Sequence, residues 1–184
     1  MAPAILSAAM FLLAACSATA SKTVYSHVPP FTLTDQTGAT FDSATLANKV
    51  WIADFMFTNC TGPCPRMSAQ MREVQTALAS EPDVRLVSLT IDPARDTPDV
   101  LARYAVRYDA TPGKWFFLTG PRDTLQFLDK KVFMLGDVDA SLQHSTRFVL
   151  VDRQSDVRGY YSTPEPDAIP RLIADAKKLV KERP

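Results

Sequence analysis

Residues 49–57 read KVWIADFMF, a nearly unbroken apolar run that predicts a strand buried on both faces. VRLVSLTI at 84–91 and KWFFLTG at 114–120 repeat the pattern and predict two more strands. Between the first two runs the period changes. Met67, Met71, Val74 and Leu78 stand 4, 3 and 4 residues apart, one apolar stripe of a helix. Asp92 and Pro93 end the second run, and Thr97 then offers an N-cap with Pro98 at the first helical position. Leu101, Tyr104, Ala105 and Tyr108 give that helix its buried face, and a short helix is expected over 124–131. RFVLVD (147–152) and VRGYY (157–161) predict a closing hairpin. Ile169, Leu172, Ile173, Ala176, Leu179 and Val180 predict a last amphipathic helix. FTLTDQTGATFD at 31–42 alternates on both sides of a Gln-Thr-Gly turn and predicts an N-terminal hairpin.

Strands alternating with helices imply a largely parallel sheet covered on both faces, and the closing hairpin makes it mixed. The fold class is α/β, with the element order of a thioredoxin-like fold: a central mixed sheet flanked by helices, plus an extra N-terminal β-hairpin. At 184 residues, one domain over 31–182 with a short N-terminal appendage accounts for the chain. Hydrophobic residues at 46% against 22% charged make it globular rather than disordered. Twenty basic and twenty acidic residues cancel, so no basic field draws in nucleic acid and no Lys/Arg cluster marks a polybasic membrane patch.

Residues 1–15, MAPAILSAAMFLLAA, are apolar and small. The stretch is too short to span a bilayer and suits the apolar region of a secretory signal. LAAC, ending at Cys16, resembles a bacterial lipobox, although no Lys or Arg precedes the apolar run. On this reading Cys16 is lipidated and becomes the mature N-terminus, and residues 16–30 are a linker. The domain is then exported and lipid-anchored at the periplasmic or extracytoplasmic face of a bacterial membrane. The alternative is a buried N-terminal segment with Cys16 a core thiol. Export would leave two thiols, Cys60 and Cys64, in an oxidising compartment where they can cycle or crosslink.

Those cysteines stand in FTNCTGPCPRM at 57–67, between the first buried strand and its helix. In open α/β sheets the loops at the carboxyl ends of strands form the ligand crevice. A helix N-terminus favours the thiolate, the form that attacks disulfides and binds metal. A plain disulfide staple would close too small a loop to remove much chain entropy, so a reactive or metal-binding pair is the better reading. A structural zinc site would want four ligands, and beside the two cysteines the chain offers His27 and His144. His27 falls in the expected linker and reads as an ordinary surface side chain. His144 directly precedes RFVLVD. In thioredoxin-like domains the residues before that strand lie beside the dithiol, usually around a proline, and Ser145 stands in the proline's place. That resemblance puts His144 against the cysteines. Two thiolates and one imidazole suit Cu(I), and Cu(II) with a further oxygen ligand.

FTLTDQTG, DFMFTNCTGPCPRMSAQM, LVSLTIDPARDTPDVLARYA, WFFLTG and HSTRFVLVDRQSDVRGYY together resemble the Sco/SenC family of copper chaperones, over roughly 25–180. The family's C-x-x-x-C-P falls on Cys60, Cys64 and Pro65, and its distal metal histidine on His144. The resemblance implies a metallochaperone that binds one copper per chain through Cys60, Cys64 and His144. It implies delivery to the dinuclear copper-A centre of cytochrome oxidase subunit II. The chain departs from the family at Gly62, where an acidic residue is common, and in GDVDASLQH, the approach to the histidine. Asp137 or Asp139 there would orient His144 or simply be solvated. Asp92, Arg95 and Asp96 suit either partner docking or, preferred, a loop closed by local ion pairs and a helix cap. Met67 and Met71, at helical spacing, read as core.

The same dithiol fits a second function, a thiol–disulfide oxidoreductase in which Cys60 attacks and Cys64 resolves, the two joined as a disulfide when oxidised. Copper loading needs the reduced pair, which makes a thiol–disulfide reductant a partner in either case. His144 discriminates, because dithiol exchange does not need it. A peroxiredoxin-type peroxidase would require Pro and Thr where Ala53 and Phe57 stand, and is excluded.

Overall fold

The protein is described by a computed structural model over residues 23–136 and 145–182. The N-terminal hairpin forms as β1 (Thr32–Asp35) and β2 (Thr40–Asp42). Its turn carries Gly38 at φ +83°, a conformation open to a residue without Cβ. The apolar runs form β3 (Val50–Met56), β4 (Val84–Thr90) and β5 (Trp115–Thr119). The closing hairpin is β6 (Arg147–Val151) with β7 (Val157–Ser162). Among the described residues these make a seven-stranded sheet in the order β2-β1-β5-β4-β3-β6-β7. The central three strands are parallel, with β1 and β6 antiparallel to β5 and β3. The mixed α/β class expected from the pattern is what the chain adopts.

The four α-helices described are α1 (Cys64–Ala77), α2 (Pro98–Arg107), α3 (Arg122–Phe127) and α4 (Ala168–Lys181). All seven residues of β3 are buried, and its period of two divides them between two cores. Val50, Ile52 and Met56 pack with Met67, Met71, Leu101 and Leu172 of α1, α2 and α4. Trp51, Ala53 and Phe55 pack with the N-terminal hairpin, α3 and Phe133. Parallel β3 and β4 bring their carboxyl ends to one edge, and Ala53 opposite Val149 brings the start of β6 to the same edge.

Two local expectations change. The short helix is not continuous over 124–131: α3 ends at Phe127 and a π-type turn follows over Leu128–Val132. The Phe133 N–H closes it on the Leu128 carbonyl at 2.8 Å, and the wider turn keeps Leu125, Leu128 and Val132 buried. Thr97 does occupy the N-cap of α2 in extended conformation, with Pro98 following, but its hydroxyl makes no capping bond. Within the stretch 16–30, the Tyr25 and Val28 amides donate to Val157 and Ser155 carbonyls at 2.9 and 2.8 Å. His27 is an exposed side chain whose Nδ1 lies 2.8 Å from Asp156 Oδ1.

Candidate metal centre

β3 delivers the chain to the carboxyl edge of the sheet, α1 starts at Cys64, and residues 57–63 are the loop between them. Cys64 is wholly buried in the core that holds Met67 and Met71, which are core residues as expected. Cys60 sits on the loop, half-buried against the same cluster. Its N–H donates to the Phe57 carbonyl at 3.3 Å, and the Gly62 N–H donates to its Sγ at 3.4 Å. Both residues are thiols, and the two side chains are hydrogen-bonded to each other.

The expectation that a helix start favours thiolate is overturned for Cys64. Burial drives its pKa well up, the bond with Cys60 adds to this, and a hydrogen bond from the Phe57 backbone offsets only part. Cys64 is therefore a thiol at neutral pH, and a metal ion taken up there must displace its proton.

Asp54 contributes to that shift and was not singled out from the sequence. It lies on the Ile52–Met56 face of β3 and is 1% exposed. The Ser88 hydroxyl donates to Asp54 Oδ1 at 2.6 Å, and the Trp115 indole N–H donates to Ser88 Oγ at 3.0 Å. Its other oxygen has no partner among the described residues. Burial pushes this carboxyl up to about 7, with the Ser88 bond pulling the other way. A lone carboxylate inside an apolar run, six residues before Cys60, was the signal available.

Of the charged trio after β4, Arg95 and Asp92 form the expected local ion pair at 2.8 Å. Asp96 does neither thing expected of it, capping no helix and pairing with no local cation. It is 1% exposed and accepts from the Thr58 amide at 3.2 Å and from the Thr58 and Thr90 hydroxyls. A contact between residues 38 apart in the chain leaves no local trace.

Ser145 and Thr146 lead into β6 at the cysteine edge, the Thr146 carbonyl accepting the Thr163 N–H at 2.8 Å. His144, Asp137, Asp139 and the expected lipidation site Cys16 lie outside the described residues. Among the described residues no three His, Cys, Asp or Glu side chains gather as a metal site. What the described residues bring together is two of the three expected ligands. No described helix is long and apolar enough to cross a membrane.

Residues 19–181 match the SCO1/SenC family model. The SCO1 protein homolog of Bacillus subtilis is 33% identical over 157 residues, which are 82% of this chain and 81% of that protein. The structure of BsSco, a member of the Sco family of cytochrome c oxidase assembly proteins in which a disulfide switch is identified, superposes with a TM-score of 0.77 at 32% identity. That match covers 88% of this chain and 98% of BsSco. Copper-bound ScoI of Bradyrhizobium japonicum shares the fold, with a TM-score of 0.67 at 23% identity over 82% of this chain and 98% of ScoI.

Proposed function

The chain belongs to the SCO1/SenC family, and from that premise we propose that it is a copper metallochaperone. It binds one copper ion per chain through Cys60, Cys64 and His144, and passes it to the copper-A site of cytochrome oxidase subunit II. The observation that carries this reading is the thiol pair itself: two hydrogen-bonded sulfurs at the open edge of the sheet, one half-buried and one at a helix start. Two soft donors fit Cu(I), and an imidazole as third donor extends the site to Cu(II). Copper is cargo here. A three-coordinate ion leaves room for an incoming thiolate of the recipient, so transfer proceeds by ligand exchange. BsSco, a member of a family of cytochrome c oxidase assembly proteins, supports the assignment, and ScoI, seen with copper, shares its fold.

The test counts copper per chain in the reduced protein, native and His144→Ala. Native protein should take up one ion; the variant should bind at least ~10–100-fold more weakly, losing a direct ligand where loss of an outer-shell partner already costs that much. Cu(II) should suffer more than Cu(I), which two thiolates alone can hold. Protein oxidised to the Cys60–Cys64 disulfide should take up none, and reduction by a thiol–disulfide reductant should restore uptake. Tight uptake by the disulfide form would show that the sulfurs are not the ligands.

One observation favours a second reading. The exposure of the two sulfurs is unequal, Cys60 reachable and Cys64 enclosed, which is the asymmetry of an attacking and a resolving thiol in an oxidoreductase. Oxidase assembly that survives His144→Ala would select this reading. The location proposed with either is extracytoplasmic, through a lipid on Cys16. Mass analysis of membrane-extracted protein should find that lipid, and an unmodified Met1 terminus in the cytosol would refute it.

A further inference from the structure

Cys64 cannot move without disturbing α1 and the core around it, whereas Cys60 is carried by a loop. The distance between the sulfurs is therefore decided by whatever anchors that loop. One anchor is a buried carboxylate from elsewhere in the chain. Asp96 Oδ1 accepts the Thr58 hydroxyl at 2.5 Å, and Oδ2 accepts the Thr58 amide at 3.2 Å and the Thr90 hydroxyl. Thr90 in turn accepts the Asp92 amide at 2.9 Å, and the Asp96 amide donates to the Asp92 carbonyl at 2.9 Å. Thr58 is two residues before Cys60 and Thr90 is the last residue of β4, so the carboxylate fastens the cysteine loop to the neighbouring strand.

Removing a carboxylate from water is costly, and its hydrogen-bond partners among the described residues are neutral donors, with exposed Arg95 acting only through its field. A loop that needed only closing could be closed with an apolar contact. Three converging donors on one rigid acceptor fix position and direction as well. We infer that Asp96 is a positioning residue of the dithiol site: through Thr58 it holds Cys60 at the separation from Cys64 that copper binding and dithiol exchange require. This rests on the proposed use of the cysteines, but not on which of the two uses is correct.

The experiment compares Asp96→Ala, Asp96→Asn, Thr58→Val and Thr58→Ser in the full chain. It uses Cu(II) uptake with its thiolate charge-transfer spectrum, and alkylation rates of Cys60 and Cys64 in metal-free reduced protein. Asp96→Ala should weaken copper binding ~10–100-fold, the range of lost outer-shell contacts. It should also shift the charge-transfer band and speed alkylation of Cys60 several-fold over Cys64. Asp96→Asn and Thr58→Val should do the same to a smaller degree, and Thr58→Ser, which restores the hydroxyl, should behave as native. Native spectrum, affinity and alkylation ratio in Asp96→Ala would overturn the inference. Should that variant fail to fold, Thr58→Val decides, and native behaviour there overturns it equally. Native protein that binds no copper would sink the proposed chaperone function, and the alkylation ratio would still judge the Asp96 contact by itself.

Discussion

The two cysteines are four residues apart and held by opposite physics. Cys64 is held by burial: it opens α1, and the stripe continuing through Met67, Met71, Val74 and Leu78 locks it into the hydrophobic core. Cys60 is held by polar contacts: its own amide on Phe57, the Gly62 amide on its sulfur, and the Thr58–Asp96 tie two residues earlier. Burial is non-directional and fixes a sulfur at the expense of its ionisation. Hydrogen bonds are directional and hold the other sulfur where solvent and a partner can reach it. The pair thus combines one enclosed sulfur with one that is tied down yet open to a partner.

The largest effect should come from breaking the packed side. Met71→Ala removes a wholly buried side chain below Cys64 and should cost about 2–5 kcal/mol in denaturant unfolding. A loss within the range of a surface substitution would mean that α1 is not what fixes Cys64. Cys64→Ser and Cys60→Ser sharpen the contrast next. Both should abolish tight copper uptake, but only the first should destabilise the fold, by about 1–3 kcal/mol for a hydroxyl placed in an apolar site. Cys60→Ser should stay within about 0.5 kcal/mol of native. Equal losses would erase the distinction between the two sides.

Asp54 tests how dry the packed side is. Its carboxyl is raised from 3.8 to about 7 by burial, so the native state holds a proton that the unfolded chain has released. Stability should then fall as pH rises from about 4 to about 7 and level off above, with a slope of at most about 1.4 kcal/mol per pH unit. Among the described residues its hydrogen-bond partner is the Ser88 hydroxyl, itself held by the Trp115 indole, and neither titrates in this range. Asp54→Asn should flatten this slope in unfolding measured at several pH values, and an unchanged slope would place its origin elsewhere. The smallest effect belongs to Thr97→Ala, within about 0.5 kcal/mol, because its hydroxyl makes no capping bond where N-cap threonines ordinarily contribute about 1. A loss of that full size would reveal a cap formed in solution.

The legible parts of the fold were those whose cause is local and periodic. The β3 run, the α1 stripe and the hairpin around Gly38 follow from side-chain alternation, helical spacing and turn chemistry; β3 and the hairpin lie within a residue or two of their expected bounds, and α1 carries the expected stripe but starts three residues before Met67. The end of the short helix was missed because a π-type turn carries the same apolar spacing as one more α turn. The cysteine pair was legible as neighbours because C-x-x-x-C between strand and helix sets both sulfurs on one short loop and helix start. Its supporting residues were not: Ser88 meets Asp54 only because β3 and β4 pair in the register that sets those two opposite each other.

The sequence by itself determined the layers, the strand and helix order, and which two sulfurs stand together, since each depends on residues within about one turn or strand of one another. Tertiary structure alone decided what those sulfurs are like. Cys64 is protonated because the sheet and helices exclude water from it, against the pull of its own helix start. The loop that carries Cys60 is tied down because a carboxylate 36 residues beyond that cysteine meets Thr58. Desolvation and long-range hydrogen bonds exist only once distant segments meet, and neither leaves a period in the chain.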